Sequence, residues 1–150
     1  MSNLQRLCLD TNIYVLGVQQ PDSEEYQILS AIGFYDHEKR QIEAEIILSA
    51  ELIDQIRRVV KYLSNKDDAG SVLGRIWANL NIYYVTPNEK WRSLLEKVIA
   101  MKNIPTEDIE IFLTASLGNT DCFVSGNREL IRAIADFECL TPTQFIKKYL

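Results

Sequence analysis

A chain of 150 residues has the size of one domain and, by surface-to-volume scaling, buries roughly 70% of the surface that its unfolded form exposes. Its 47% apolar and 25% charged residues exclude the disordered, collagenous and low-complexity classes. No apolar run approaches the ~18 residues that cross a bilayer, and the segment ahead of Asp10 is too short for a secretory signal, so a cytoplasmic protein with no membrane partner is expected.

In chain order, the apolar run Arg6-Leu7-Cys8-Leu9 is stopped by Asp10-Thr11-Asn12, residue types that cap a helix, and Ile13-Tyr14-Val15-Leu16 follows. This predicts strand, turn and helix start. Ile28, Leu29 and Ile32 give residues 24–35 a helical spacing. Ile46-Ile47-Leu48 is a strand ended by Ser49, after which Leu52, Ile56, Val59, Val60 and Leu63 recur at helical period. Residues 67–80 carry a stripe of Val72, Leu73, Ile76 and Leu80. Asn81-Ile82-Tyr83-Tyr84-Val85 is rich in strand formers and is closed by Thr86-Pro87. Trp91, Leu94, Leu95 and Val98 mark the next helix. Thr106 is the expected N-cap of a helix to Leu117, which Gly118-Asn119 stops. Cys122-Phe123-Val124 is a buried strand ending at Ser125-Gly126-Asn127, with a short helix over 128–134, a last strand over 137–140 and a terminal helix opened by Thr141-Pro142.

Strands separated by helices predict one α/β domain over 1–150: a three-layer α/β/α sandwich with a mostly parallel sheet. The three cysteines lie in apolar runs and make no C-x-x-C pair, so buried, reduced thiols are expected. The single histidine, His37, sits among charged residues and reads as a solvated imidazole, which leaves hydrolytic chemistry to carboxylates. A net charge of −5 is a poor general attractor of nucleic acid. Two groups of cations, Arg57, Arg58, Lys61 and Lys66, then Lys90, Arg92, Lys97 and Lys102, read as solvated helix faces.

In open parallel sheets, ligands bind at the carboxyl ends of the strands. There the sequence sets Asp10, Thr11 and Asn12 after the first strand, Ser49 and Glu51 after the second, and Ser125, Gly126 and Asn127 after the fourth. Glu107, Asp108 and Glu110 begin a helix that returns to the same edge. Carboxylates converging on one crevice repel each other unless a cation lies between them, and Mg2+ or Mn2+ is the hard ion suited to oxygen donors. The structural alternative for Asp10 is a plain helix cap, and for Glu51 a favourable charge in a first helical turn.

Through Leu9-Asp10-Thr11-Asn12, the block Asp121-Cys122-Phe123-Val124-Ser125-Gly126-Asn127-Arg128-Glu129-Leu130 and the Thr-Pro opening of the last helix, the chain resembles the PIN domain family over essentially its whole length. The resemblance implies a metal-dependent ribonuclease with three or four acids. Asp10 matches the first. The place of the family's glutamate falls on Gln55, and Glu51, one turn earlier on the same face, is the residue able to replace it. Asp108 takes the third place without a gap and Glu110 with a gap of one residue. Asn127 stands where aspartate is frequent, and Asp121 lies before its strand, at the opposite sheet edge. The implied site is a Mg2+ or Mn2+ ion held by Asp10, Asp108 and Glu51 or Glu110, supported by Thr11, Asn12, Gln55, Ser125 and Asn127.

The resemblance further implies RNA as substrate, the role of toxin in a toxin–antitoxin pair with a small antitoxin-type partner, and compatibility with a homo-oligomer. The alternative is a PIN-like domain that has lost catalysis and serves as an RNA-binding or protein-interaction module. A phosphoacceptor domain would need an Asp where Thr86 stands and a Lys where Thr141 stands.

Overall fold

The structure, a computed structural model, describes residues 4–150, so residues 1–3 of the expected 1–150 unit lie outside the described residues. Five strands, β1 (Arg6–Leu9), β2 (Glu45–Ser49), β3 (Ile82–Val85), β4 (Cys122–Val124) and β5 (Glu138–Leu140), form one sheet in the order β3-β2-β1-β4-β5. Every neighbouring pair is parallel. Between β1 and β2 run α1 (Thr11–Gln19) and α2 (Glu24–Ala31); between β2 and β3, α3 (Ala50–Leu63) and α4 (Lys66–Asn79). Then come α5 (Glu89–Met101) and α6 (Ile109–Leu117) before β4, α7 (Arg128–Ala133) before β5, and α8 (Pro142–Tyr149).

Successive residues of a strand point to opposite faces of its sheet. Leu7, Cys8 and Leu9, and Ile46, Ile47 and Leu48, are all buried, so both faces of the central strands are covered and the expected α/β/α layering is the observed one. Strands β3 and β5 form the edges and are partly exposed. Cys8 and Cys122 are buried thiols as expected, whereas Cys139 is only half-buried because its strand is an edge.

Helix starts follow local chemistry. Ser23, Ser49, Asn65, Asn88 and Asn127 each accept a backbone N–H of the first turn, and Thr141 makes a reciprocal capping box with Gln144. Two elements differ from the sequence reading. The helix expected over 24–35 stops at Ala31, because Gly33 adopts φ +92° and the Phe34 and Gly33 amides turn back to the Leu29 and Ser30 carbonyls. The helix expected from Thr106 begins instead as a 3-10 turn over Thr106–Asp108, closed by the Asp108 amide on the Pro105 carbonyl at 2.9 Å. Thr106 makes no capping bond, and the carboxylate of Asp108 is left uncommitted to the helix end.

His37 also departs from the expected solvated imidazole. Its Nδ1 lies 2.7 Å from the Asn79 carbonyl and its Nε2 2.6 Å from Arg40 Nη1, so the neutral ring with its proton on Nδ1 satisfies both contacts. The ring ties the loop after α2 to the end of α4, a tertiary contact that its charged neighbours in sequence do not reveal.

Where α6 ends, a Cβ on Gly118 would lie 2.6 Å from Ile47 Cγ2 in the core of β2. Gly118→Ala is therefore expected to destabilise the fold by about 1–3 kcal/mol, although its backbone φ of −77° suits any residue. Urea unfolding measures this as a lower midpoint at constant slope. An unchanged midpoint would contradict the packing of α6 on β2.

Candidate active site

Strand order reverses at β1: the chain moves outward through β2 and β3, then returns to place β4 on the other side of β1. Such a switch point opens a crevice at the carboxyl ends of the two adjacent strands. Asp10 leaves β1 and Ser125 leaves β4 at this crevice. The Asp10 amide still donates to the Val124 carbonyl at 2.9 Å, so the backbone is held by the sheet where the side chain emerges.

The carboxylate of Asp10 is held at both oxygens. Oδ1 accepts the Thr11 amide at 2.8 Å and Oδ2 accepts the Ser125 hydroxyl at 2.7 Å. Ser125 Oγ in turn accepts the Asn127 amide at 3.0 Å. Asn127 caps α7 with Oδ1, which accepts the Leu130 amide at 3.2 Å, and directs Nδ2 to Asp108 Oδ2 at 3.4 Å, a long contact. One string of hydrogen bonds thus runs from Thr11 through Asp10, Ser125 and Asn127 to Asp108.

This arrangement holds two carboxylates in a partly desolvated corner. Burial pushes the Asp10 carboxyl above its usual range, against the bonds from Ser125 and Thr11, which pull it down. Asp108 is raised first by burial and then by the charges of Asp10 and Glu107; the Asn127 bond opposes this and Glu129 adds a little.

A second group lies beside the first. Glu51, Gln55, Arg58, Glu107 and Glu110, with Leu52 and Ile111, line a cleft of about 80 Å³. Glu51 Oε2 is sealed from solvent and has no hydrogen-bond partner among the described residues. Gln55 joins the two groups, because its Oε1 accepts the Thr11 hydroxyl at 2.8 Å.

The candidates from sequence are therefore sorted by the fold. Asp10, Asp108, Thr11, Ser125 and Asn127 share one corner, while Glu51 and Glu110 face the neighbouring cleft with Gln55 between. Asn12 is exposed in the first turn of α1. Asp121 accepts the Gln5 and Arg6 amides, each at 2.9 Å, at the opposite edge of the sheet as expected. Arg58, expected on a solvated basic face, is exposed yet stands at the rim of an acidic cleft with its Nε 2.9 Å from Asp54 Oδ2. The spacing 51, 55, 58 on one helix was the signal available for it. A larger apolar cleft of about 820 Å³ between α5 and the start of α6 meets the acidic one at Glu110 and is lined by neither Asp10 nor Asp108.

The donors at the Asp10 corner suit a hard divalent cation: two carboxylates, with hydroxyl and amide groups around them. Magnesium is commonly held by one or two carboxylates and retains several waters. Among the described residues no three His, Cys, Asp or Glu side chains converge into a complete ligand set. The residues fit an ion clasped on one side and not an all-protein cage.

Without such an ion, a carboxyl with a raised folded-state pKa stabilises the fold fully below its unfolded value of about 3.9, and this contribution is lost as pH rises through the folded value. Metal-free Asp10→Asn should hence melt higher than the parent at neutral pH, with the gap closing below about pH 4. Thermal melts in EDTA across this window measure it, and a constant gap would refute the burial of Asp10.

No protein-family model matches the sequence, and no curated protein sequence matches it. Solved structures do match. VapBC2 from Rickettsia felis, bound to a DNA fragment from the promoter, aligns with TM-score 0.65 and 18% identity, covering 91% of this chain and 98% of the other. VapBC-1 from nontypeable Haemophilus influenzae aligns with TM-score 0.66 and 14% identity, covering 93% and 99%. FitAcB from Neisseria gonorrhoeae aligns with TM-score 0.58 and 17% identity, covering 91% and 98%. At these identities it is the fold that is shared, and the chain has the PIN-like α/β/α fold of those structures with the Asp10–Ser125–Asn127–Asp108 string at its switch point.

Proposed function

We propose that this chain is a Mg2+- or Mn2+-dependent endoribonuclease, the toxin of a toxin–antitoxin pair, acting in the cytoplasm. The observation that carries this reading is the clasp at the switch point, where Ser125 and Thr11 fix the Asp10 carboxylate and Asn127 brings Asp108 toward it. Likeness in fold to the VapBC and FitAcB structures supports a small antitoxin-type protein as partner, and a homo-oligomer is compatible with it.

In this reading Asp10 and Asp108 hold the cation. The ion, when bound, supplies a Lewis acid for the phosphodiester and lowers the pKa of water. The chain's own part is positional. Ser125 and the Thr11 amide hold the Asp10 carboxylate at both oxygens, and Asn127 directs its side-chain amide to Asp108. A carboxylate whose proton affinity is raised by burial and by a neighbouring carboxylate, as that of Asp108 is beside Asp10, accepts a cation readily, since the ion removes this repulsion. Glu51 and Glu110 supply further negative charge from the adjoining cleft, where Glu51 takes over the duty of the glutamate whose place Gln55 occupies.

The absence of a complete ligand set among the described residues favours a second reading, a PIN-like module that binds RNA or a protein partner without cleaving. Manganese calorimetry and a single-stranded RNA cleavage assay separate the two. Asp10→Asn is expected to remove Mn2+ binding and to lower cleavage by at least about a hundredfold, some 2.7 kcal/mol of transition-state stabilisation, while the fold persists. Equal cleavage by the variant would dismiss the site, and a parent that takes up no Mn2+ at millimolar concentration would favour the module.

Asp108→Asn should harm cleavage more than Glu110→Gln, because Asp108 faces Asn127 whereas Glu110 faces the outer cleft. The reverse order in single-turnover rates would move the third ligand to Glu110.

A further inference from the structure

Helix α3 carries one line of side chains out of the site. At about 100° per residue, positions 51, 55, 58 and 62 fall within about 60° of one another around the helix, so Glu51, Gln55, Arg58 and Tyr62 form a single stripe. Glu51 and Gln55 line the acidic cleft, and Arg58 stands at its rim. Beyond the rim the stripe runs onto open surface, where Tyr62 is 87% exposed and Lys61 beside it is exposed as well.

Packing does not account for these residues. Among the described residues, the Tyr62 ring meets no other ring and no cation, its hydroxyl makes no hydrogen bond, and Lys61 makes no ion pair. Arg58 is tethered by Nε, 2.9 Å from Asp54 Oδ2, while Arg57 takes Asp54 Oδ1, so the forked end of Arg58 has no protein partner among the described residues. A guanidinium held by Nε and free at its fork offers the paired donors that match two phosphate oxygens. The other cationic helix, α5, lacks this combination: Glu89 and Glu96 interrupt its cations and its one aromatic residue, Trp91, is buried. Trp77 and Tyr84, also exposed, pack on each other with ring centroids 6.1 Å apart.

Cations alternating with an exposed ring suit a single-stranded nucleic acid, whose phosphates seek charge and whose bases stack on an aromatic face. Phosphates inside the cleft would face three glutamates, whereas at the rim they meet Arg58. Arg58 and Tyr62 lie four residues apart, about 6 Å along the helix axis, a step that one extended nucleotide covers. We propose that single-stranded RNA runs from the site along α3, with one phosphate on the Arg58 fork, the next on Lys61 and a base stacked on Tyr62. This inference rests on the ribonuclease reading and adds the path of the strand. Neither kind of contact reads a base edge, so the path is tolerant of sequence.

The test measures anisotropy of a fluorescein-labelled single-stranded RNA dodecamer of mixed sequence in EDTA, where cleavage does not compete, between about 50 and 200 mM salt. Arg58→Gln and Lys61→Gln should each reduce the slope of log affinity against log salt by about 0.7. Tyr62→Ala should weaken binding at least about fivefold at every salt concentration with the slope unchanged, and Tyr62→Phe should restore it. Lys97→Gln, on α5, should leave affinity and slope at the parent's values. All four side chains are exposed, so thermal melts should match the parent's, and in Mn2+ the Arg58→Gln, Lys61→Gln and Tyr62→Ala proteins should lose single-turnover rate at subsaturating concentration. Unaltered slopes in both cation variants, or full affinity in Tyr62→Ala, would overturn the path. If the parent and these variants cleave at equal rates, the ribonuclease reading stands and the α3 face is left to a protein partner; if the parent neither binds nor cleaves RNA, both readings fall.

Discussion

A charged side chain at the end of a strand buried on both faces is the constraint from which the site follows. Leu7, Cys8 and Leu9 are fully enclosed, and parallel pairing with β2 and β4 fixes the direction in which β1 delivers its next residue. Asp10 then has water on one side and protein on the other. An ionised carboxylate in such a place needs donors, and Ser125 and the Thr11 amide provide them. Because Ser125 follows β4, the bond that satisfies Asp10 also locks the two strand ends together at the point where the sheet reverses its order. The same hydroxyl receives the Asn127 amide, so the start of α7 is positioned by the need to satisfy Asp10.

Negative charge is distributed unevenly around this point. The Asp10 corner contains two carboxylates, that of Asp10 hydrogen-bonded at both oxygens and that of Asp108 at one, and the neighbouring cleft is lined by three glutamates and, among the described residues, one cation, Arg58, which is itself shared with Asp54. Gln55 divides the two. As a neutral amide it bonds Thr11 without adding a further charge to a corner where Asp108 already responds to Asp10 and Glu107. A carboxylate at the same position could accept the same hydroxyl, but it would stand between two acidic groups. The residue type at position 55 thus decides whether corner and cleft form one acidic site or two chemically distinct ones.

A buried hydroxyl pair holds the helices that frame these groups. Ser49 ends β2, accepts the Leu52 amide to start α3, and lies 2.7 Å from Thr114 Oγ1 on α6. Thr114 also donates to the Glu110 carbonyl at 2.9 Å. Glu51 on α3 and Glu110 on α6 therefore face a common cleft because a fully buried polar link leaves their helices little freedom to slide. Unlike apolar packing, such a link has a preferred register, since a shift would strand a hydroxyl away from water.

Much of this was legible in the sequence. Short apolar runs identified the strands and a 3.6-residue period the helices, cap residues marked the starts of the first and last helices, and the alternation of strand and helix specified a parallel α/β sheet, which in turn placed Asp10, Ser125 and Asn127 at one edge. These features depend on contacts near in sequence or on a general topological rule. What the sequence left open depended on contacts between distant segments. Asp108 and Glu110 differ by two positions, and which of them meets Asn127 was decided by the 3-10 turn that Pro105 opens. His37 looked solvated until Asn79, far along the chain, was brought to its ring. Arg58 looked like part of a basic face until the turn over Thr106–Asp108 and the start of α6 set Glu107 and Glu110 in the same cleft. A local pattern reports which side of an element is apolar, but the partner of a polar group is chosen by helix rotation and loop closure, and these are settled only when the whole core packs.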